Sequence, residues 1–158
     1  MADVSGPQAV VEACVAWLDC PAVRAAGART VQAWLPPLGE PSRVTMPAVC
    51  VHLEELTDQR IAFNGAGGLR QRAYPLAADV WWSVTAQHVE GAQAGCADLV
   101  EAVIDRLADD PSWDGAVSHS GPRFHARVLE DTYDALLAGR GVFAWRIRFS
   151  ADLFPFAT

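Results

Sequence analysis

His52-Leu53-Glu54 is a stretch whose residue types and spacing can do chemistry. A His-x-Glu run opens the zinc deaminase signature, but that signature also needs a Pro-Cys-x-x-Cys run, and none occurs. With two of three ligands missing, the plainer reading is the polar face of a strand. His119 and His125 flank Gly121-Pro122 on a loop entering a strand, and nothing in the sequence points to the third ligand a metal would need. Ser118-His119-Ser120 sets hydroxyls beside an imidazole. No Gly-x-Ser-x-Gly elbow accompanies it, and adjacency in sequence does not make a triad. The run Asn64-Gly-Ala-Gly-Gly68 lacks dinucleotide-loop spacing, because position 70 is arginine and no helix follows. Cys14, Cys20, Cys50 and Cys96 show no Cys-x-x-Cys spacing. On one helix Cys14 and Cys20 would stand about 9 Å apart along the axis, too far to bridge. All four read as reduced, small apolar core residues. The residues therefore select no catalytic group, no cofactor and no metal.

The 158 residues are 51% hydrophobic and 20% charged, which fits one globular domain over 1–158 that buries roughly 68–70% of its unfolded surface. A net charge of -7 argues against binding through a phosphate backbone. All 12 basic residues counted as Lys+Arg are arginine. The absence of lysine removes P-loop, kinase, Schiff-base and Ser-x-x-Lys chemistry together. Enzyme is accordingly the weaker class. The start places Asp3 where a secretory signal wants a basic residue, and no run reaches the ~18 apolar residues of a membrane span. The expectation is a soluble chain with no membrane partner.

Several elements follow from periodicity. Val10, Val11, Cys14, Trp17 and Leu18 recur at helical spacing over 7–19, with Ser5 as a capping candidate, Pro7 early in the helix and Gln8 placed for a capping box. Thr30 to Trp34 reads as a strand, and the prolines from Pro36 to Pro47 mark a loop. Val49 to Glu54, Asp79 to Thr85 and Phe143 to Phe149 alternate with period two, each with one face expected to be wet. Arg60 to Phe63 and Leu69 to Tyr74 flank the Asn64–Gly68 run as the legs of a hairpin. Ala92, Cys96, Leu99, Val100, Val103, Ile104 and Leu107 predict a helix over 88–109 that stops at Asp110-Pro111. Phe124 to Leu129 and Val142 to Leu153 complete the strands, joined through Gly139-Arg-Gly141. The fold class is α+β: an antiparallel or mixed sheet with a hairpin extension and two helices packed on one face.

Surface material for assembly stands out more than chemistry does. Arg60, Arg70 and Arg72 cluster on the hairpin, while Glu90, Asp98, Glu101 and Asp105 line the outer face of the second long helix. Trp81 lies on the strand face opposite Trp82, and Arg146 and Arg148 share the face of the last strand opposite its large apolar residues. Arginine and aromatics are enriched at protein interfaces, so these residues are the subunit-interface candidates.

The layout resembles the tail terminator (tail completion) proteins of long-tailed, siphovirus-like bacteriophages. The matching features begin with the helix from Val10 to Leu18, a proline turn and a first strand. Pro47-Ala-Val-Cys-Val51, a Gly-rich hairpin and the strand Ala78-Asp-Val-Trp-Trp-Ser-Val-Thr85 follow. The helix from Ala92 to Leu107 comes next, then Gly139-Arg-Gly141 leading into an aromatic-alternating strand. The resemblance implies a structural virion protein that forms a homo-oligomer, a hexameric ring, at the head-proximal end of the tail tube. There it would end tube polymerisation and meet the tail tube protein and the head-tail connector or stopper. It implies assembly in the host cytoplasm, and DNA that crosses the lumen without specific binding. The rival readings are a neck stopper or connector adaptor and, from another class, a small α+β enzyme or ligand-binding domain.

Overall fold

The computed structural model describes residues 6–34, 45–54, 57–60, 70–83, 89–121, 125–128 and 142–153. Apolar residues at helical spacing build α1 (Pro7–Leu18), which turns through the five-residue α2 (Pro21–Ala25) into β1 (Thr30–Ala33). The strands β2 (Ala48–Leu53), β3 (Thr57–Arg60) and β4 (Arg70–Ser83) precede α3 (Val89–Asp109). Then come β5 (His119–Ser120), β6 (His125–Val128) and β7 (Val142–Leu153). The spacing expected for α1 and α3 holds to within a residue at each end. The short turn expected after Pro21 is instead a helix, with Pro21 in its first turn, where a missing N–H costs nothing. The capping expectation also changes. Gly6 is the N-cap of α1 with no side-chain cap, and Gln8 donates to Glu12 within the helix. Ser5 lies outside the described residues.

The sheet runs β1-β2-β4-β7-β5, with β3 also on β4 and β6 also on β7. β1 and β2 are parallel and every other pair is antiparallel, so the sheet is mixed. Of the expected hairpin legs, Arg60 ends β3 opposite Arg70 of β4, while residues 61–69, the Gly139–Gly141 turn and residues 35–44 lie outside the described residues. The segments read separately as Leu69–Tyr74 and Asp79–Thr85 belong to one strand, β4.

Two of the strand tracks are broken in the same way. Leu53 faces Leu76 in one ladder and Thr57 faces Ala73 in the next, so the register shifts by one residue between them. This bulge falls at Pro75, which has no N–H to give a partner. Its carbonyl still accepts from the Glu54 N–H at 2.8 Å. On the other side of the sheet Ser120 faces Ala151 and His125 faces Arg148, so the register shifts by two residues there. Gly121, at φ 91, gives its N–H to Ser150 there.

Both long helices cover one sheet face. Val10, Val11, Cys14 and Leu18 of α1 and Cys96, Leu99, Val103 and Leu107 of α3 share a core with Val49, Val51, Tyr74, Leu76, Val80, Ile147 and Phe149. The helices are also stapled to each other. Trp17 Nε1 donates to the Arg106 carbonyl and Arg106 Nε donates to the Trp17 carbonyl, each at 2.9 Å. The guanidinium sits 3.5 Å from the centroid of the Trp17 ring, a cation–π contact. After α3, Asp110 accepts from Ser112 and Asp114 and so fixes the turn that brings the buried Trp113 edge-on to Phe149. Those hydrogen bonds hold the Asp110 carboxyl below the usual range.

Trp82 is wedged between two glycines. A Cβ on Gly95 would lie 2.6 Å from its ring, and one on Gly27 would lie 2.9 Å away. Gly91, one helical turn earlier, has open space around it. Gly95→Ala should therefore cost about 1–3 kcal/mol through overpacking. Gly91→Ala should gain up to about 1 kcal/mol through helix propensity. Urea unfolding of both variants checks the opposite signs.

Candidate functional site

The strand parity that puts Val49, Val80 and Ile147 under the helices puts Ala48, Cys50 and His52 of β2 on the other face. Ala77, Asp79 and Trp81 of β4 join them, with Ala144, Arg146 and Arg148 of β7. That face was expected to be wet, and along most of its length it is closed. Asp79 and Cys50 have no accessible surface, Trp81 is 3% exposed and Arg146 7%. The cue lies in the neighbours rather than in the alternation. Ala48 and Ala144 stand directly opposite Trp81 in the two ladders, and small residues around a large ring mark a packed face.

The charges on this face form one connected set. Asp79 and Arg146 are cross-strand partners, and the guanidinium grips the carboxylate with both prongs, Nε to Oδ1 at 2.8 Å and Nη2 to Oδ2 at 3.0 Å. His52 Nε2 stands 3.5 Å from Asp79 Oδ1, too far for a good hydrogen bond, and has no hydrogen-bond partner among the described residues. Glu54, at the bulge, accepts from Arg148 Nε at 3.1 Å and lies 3.8 Å from Arg146 Nη1. Burial alone would raise the Asp79 carboxyl. The adjoining His52 and the Arg146 guanidinium outweigh it and hold the carboxyl below its ordinary value.

A thiol, an imidazole and a carboxylate thus meet on one face, since Cys50 faces Asp79 in register and His52 is two residues on. They do not make an activated nucleophile. Burial, with the Asp79 charge adding to it, pushes the Cys50 thiol up to about 12, so it stays protonated at neutral pH. Both Asp79 oxygens are already engaged by Arg146. Burial pushes Cys96 up to about 12 as well, and raises Cys14 further. All four cysteines are free. Among the described residues no group of three or more His, Cys, Asp or Glu could hold a metal. His119 begins β5 and His125, exposed, begins β6, with the bulge between them. No described helix is long and apolar enough to cross a membrane.

The remaining interface candidates fall at two places. Arg60 and Arg70 stand directly opposite each other in the β3–β4 ladder, with Arg72 opposite Asp58. Asp98, Glu101 and Asp105 are exposed along α3, and Glu90 lies in its first turn. Arg148, at the open end of the charged face, is 44% exposed. The sequence pointed to all of these positions. Trp81 and Arg146 are buried within the protomer.

No family model and no curated protein matches the chain. Among solved structures it is similar to the sheath/tube terminator of PVC, an extracellular contractile injection system, in its extended state. The identity is 13% and the TM-score 0.42. The match covers 98% of this chain and 59% of that one, so the chain spans about three fifths of the neighbour's length.

Arg146→Met would strand a buried carboxylate and should cost about 3–5 kcal/mol. Replacing both partners, Asp79→Leu with Arg146→Met, should cost far less than either change alone, and a double-mutant cycle checks this. Because the native Asp79 carboxyl lies below the unfolded value of about 3.9, its contribution is complete above that pH. It is lost as pH falls through the native value. The stability deficit of Asp79→Asn should therefore be largest near neutrality and shrink in acid, as denaturant unfolding across a pH series would show.

Proposed function

We propose that this chain is the subunit of a phage tail terminator, a structural protein rather than an enzyme. Copies assemble as a ring on the head-proximal end of a finished tail tube, stop its polymerisation and present a surface to the head connector. The observation that carries this reading is the element order. A proline-started helix leads through the short helix α2 into an edge strand. A hairpin then continues as the long central strand, a covering helix follows, and an aromatic-alternating strand comes last in the chain and pairs beside the central strand. That is the layout on which the resemblance to tail terminators rests. Charge supports it too. Six copies at -7 sum to -42, and a lumen of that sign lets DNA pass without adhering.

Disrupting the gene in a phage that carries it, and measuring tails by electron microscopy, tests this function. Overlong, irregular tubes are expected. Normal tails separated from filled heads would instead assign the neck adaptor, and unchanged infectious particles would discard both.

A further inference from the structure

We infer that the outer face of α3 is the docking surface for the β3–β4 arm of a second copy of this chain, in a head-to-tail contact. The inference rests on the ring of the preceding reading and names the contact that builds it.

Charge is segregated within the protomer. Among the described residues, only two arginines, Arg24 and Arg106, lie in helices. Both are engaged locally, Arg24 with Asp19 at 2.7 Å and Arg106 with the backbone and ring of Trp17 and with Asp109 at 3.7 Å. α1 carries no cation at all. On α3, Asp98, Glu101 and Asp105 follow one another at spacings of three and four, all exposed and with no ion-pair partner among the described residues. Like charges at that spacing weaken a helix, so an uncompensated row is a cost that an external cation relieves. The opposite imbalance sits on the arm. Arg60 and Arg70 are directly opposed in the ladder, an arrangement that weakens strand pairing, and of Arg60, Arg70 and Arg72 only Arg72 has an acidic residue, Asp58, across from it.

The two imbalances are complementary, and they lie on different elements of the same chain. Such a pair of patches on one molecule gives a heterologous contact, which closes into a ring when the rotation between copies divides a full turn. A second copy is therefore the occupant that answers both at once. Between α3's acidic residues stand the exposed Ala94, Ala97 and Ala108, whose short side chains let a strand arm approach the helix closely.

The test is sedimentation velocity on the full chain at low salt. The arm variant is Arg70→Glu/Arg72→Glu and the helix variant is Asp98→Arg/Glu101→Arg/Asp105→Arg. Each alone sets like charge against like, and should raise the dissociation constant for self-association by at least about tenfold. Mixed in equal amounts they restore complementarity at every contact, so assembly should return, which also shows that both fold. Assembly of either variant at the wild-type level, failure of the mixture to recover, or a wild-type chain that stays monomeric would overturn the contact. A chain that assembles and responds to the swaps, while gene disruption leaves tail length unchanged, would retain the contact and discard the terminator reading.

Discussion

A carboxylate and a guanidinium enclosed within the sheet constrain the rest of this fold. Asp79 and Arg146 sit at the middle of the long β4–β7 ladder, and each satisfies the other where water does not reach. Their energetic value is less important than what they forbid. Sliding β4 by one residue would carry Asp79 to the helix-covered face among valines and leucines, and would leave Arg146 without its carboxylate. The register of β4 in turn places β2 and β3 on one side and β7 on the other, and with them the floor on which α1 and α3 pack.

The helix layer shows how a local staple sets the character of a surface. Arg106 is the single cation of α3, and the reciprocal hydrogen bonds with Trp17 draw it toward α1. The same side chain that fastens one helix to the other pairs only with Asp109 among the acidic residues of α3, so Asp98, Glu101 and Asp105 keep the exposed face acidic. Stability and surface charge are coupled through one residue.

Much of this architecture was legible in the residues. The apolar spacing of Val10 to Leu18 and of Ala92 to Leu107 located both long helices, and alternation from Val142 to Leu153 set the bounds of β7. Alternation reveals which residues share a face, but not whether something covers that face. This is why Asp79, Trp81 and Arg146 were expected at a wet surface and are instead buried. Gly121-Pro122 reads in the sequence as part of a loop. Only the pairing shows that Pro75 and Gly121 each sit where the register shifts between two ladders, because a bulge is defined by the partner strand. The charged set on the second face was hidden for a similar reason: its members come from three segments far apart in sequence, and register alone brings them together.

The bulge between β2 and β3 separates two design problems that a continuous strand would tie together. Before it, β4 is held by β2 and the helix-covered core; after it, the same strand continues as one leg of the β3–β4 arm. A change of one residue in the bulge would re-aim the arm while leaving the register of Asp79 untouched. A short insertion at this single joint thus changes the direction of the arm without touching the core. Core packing and arm direction are then free to vary independently of each other.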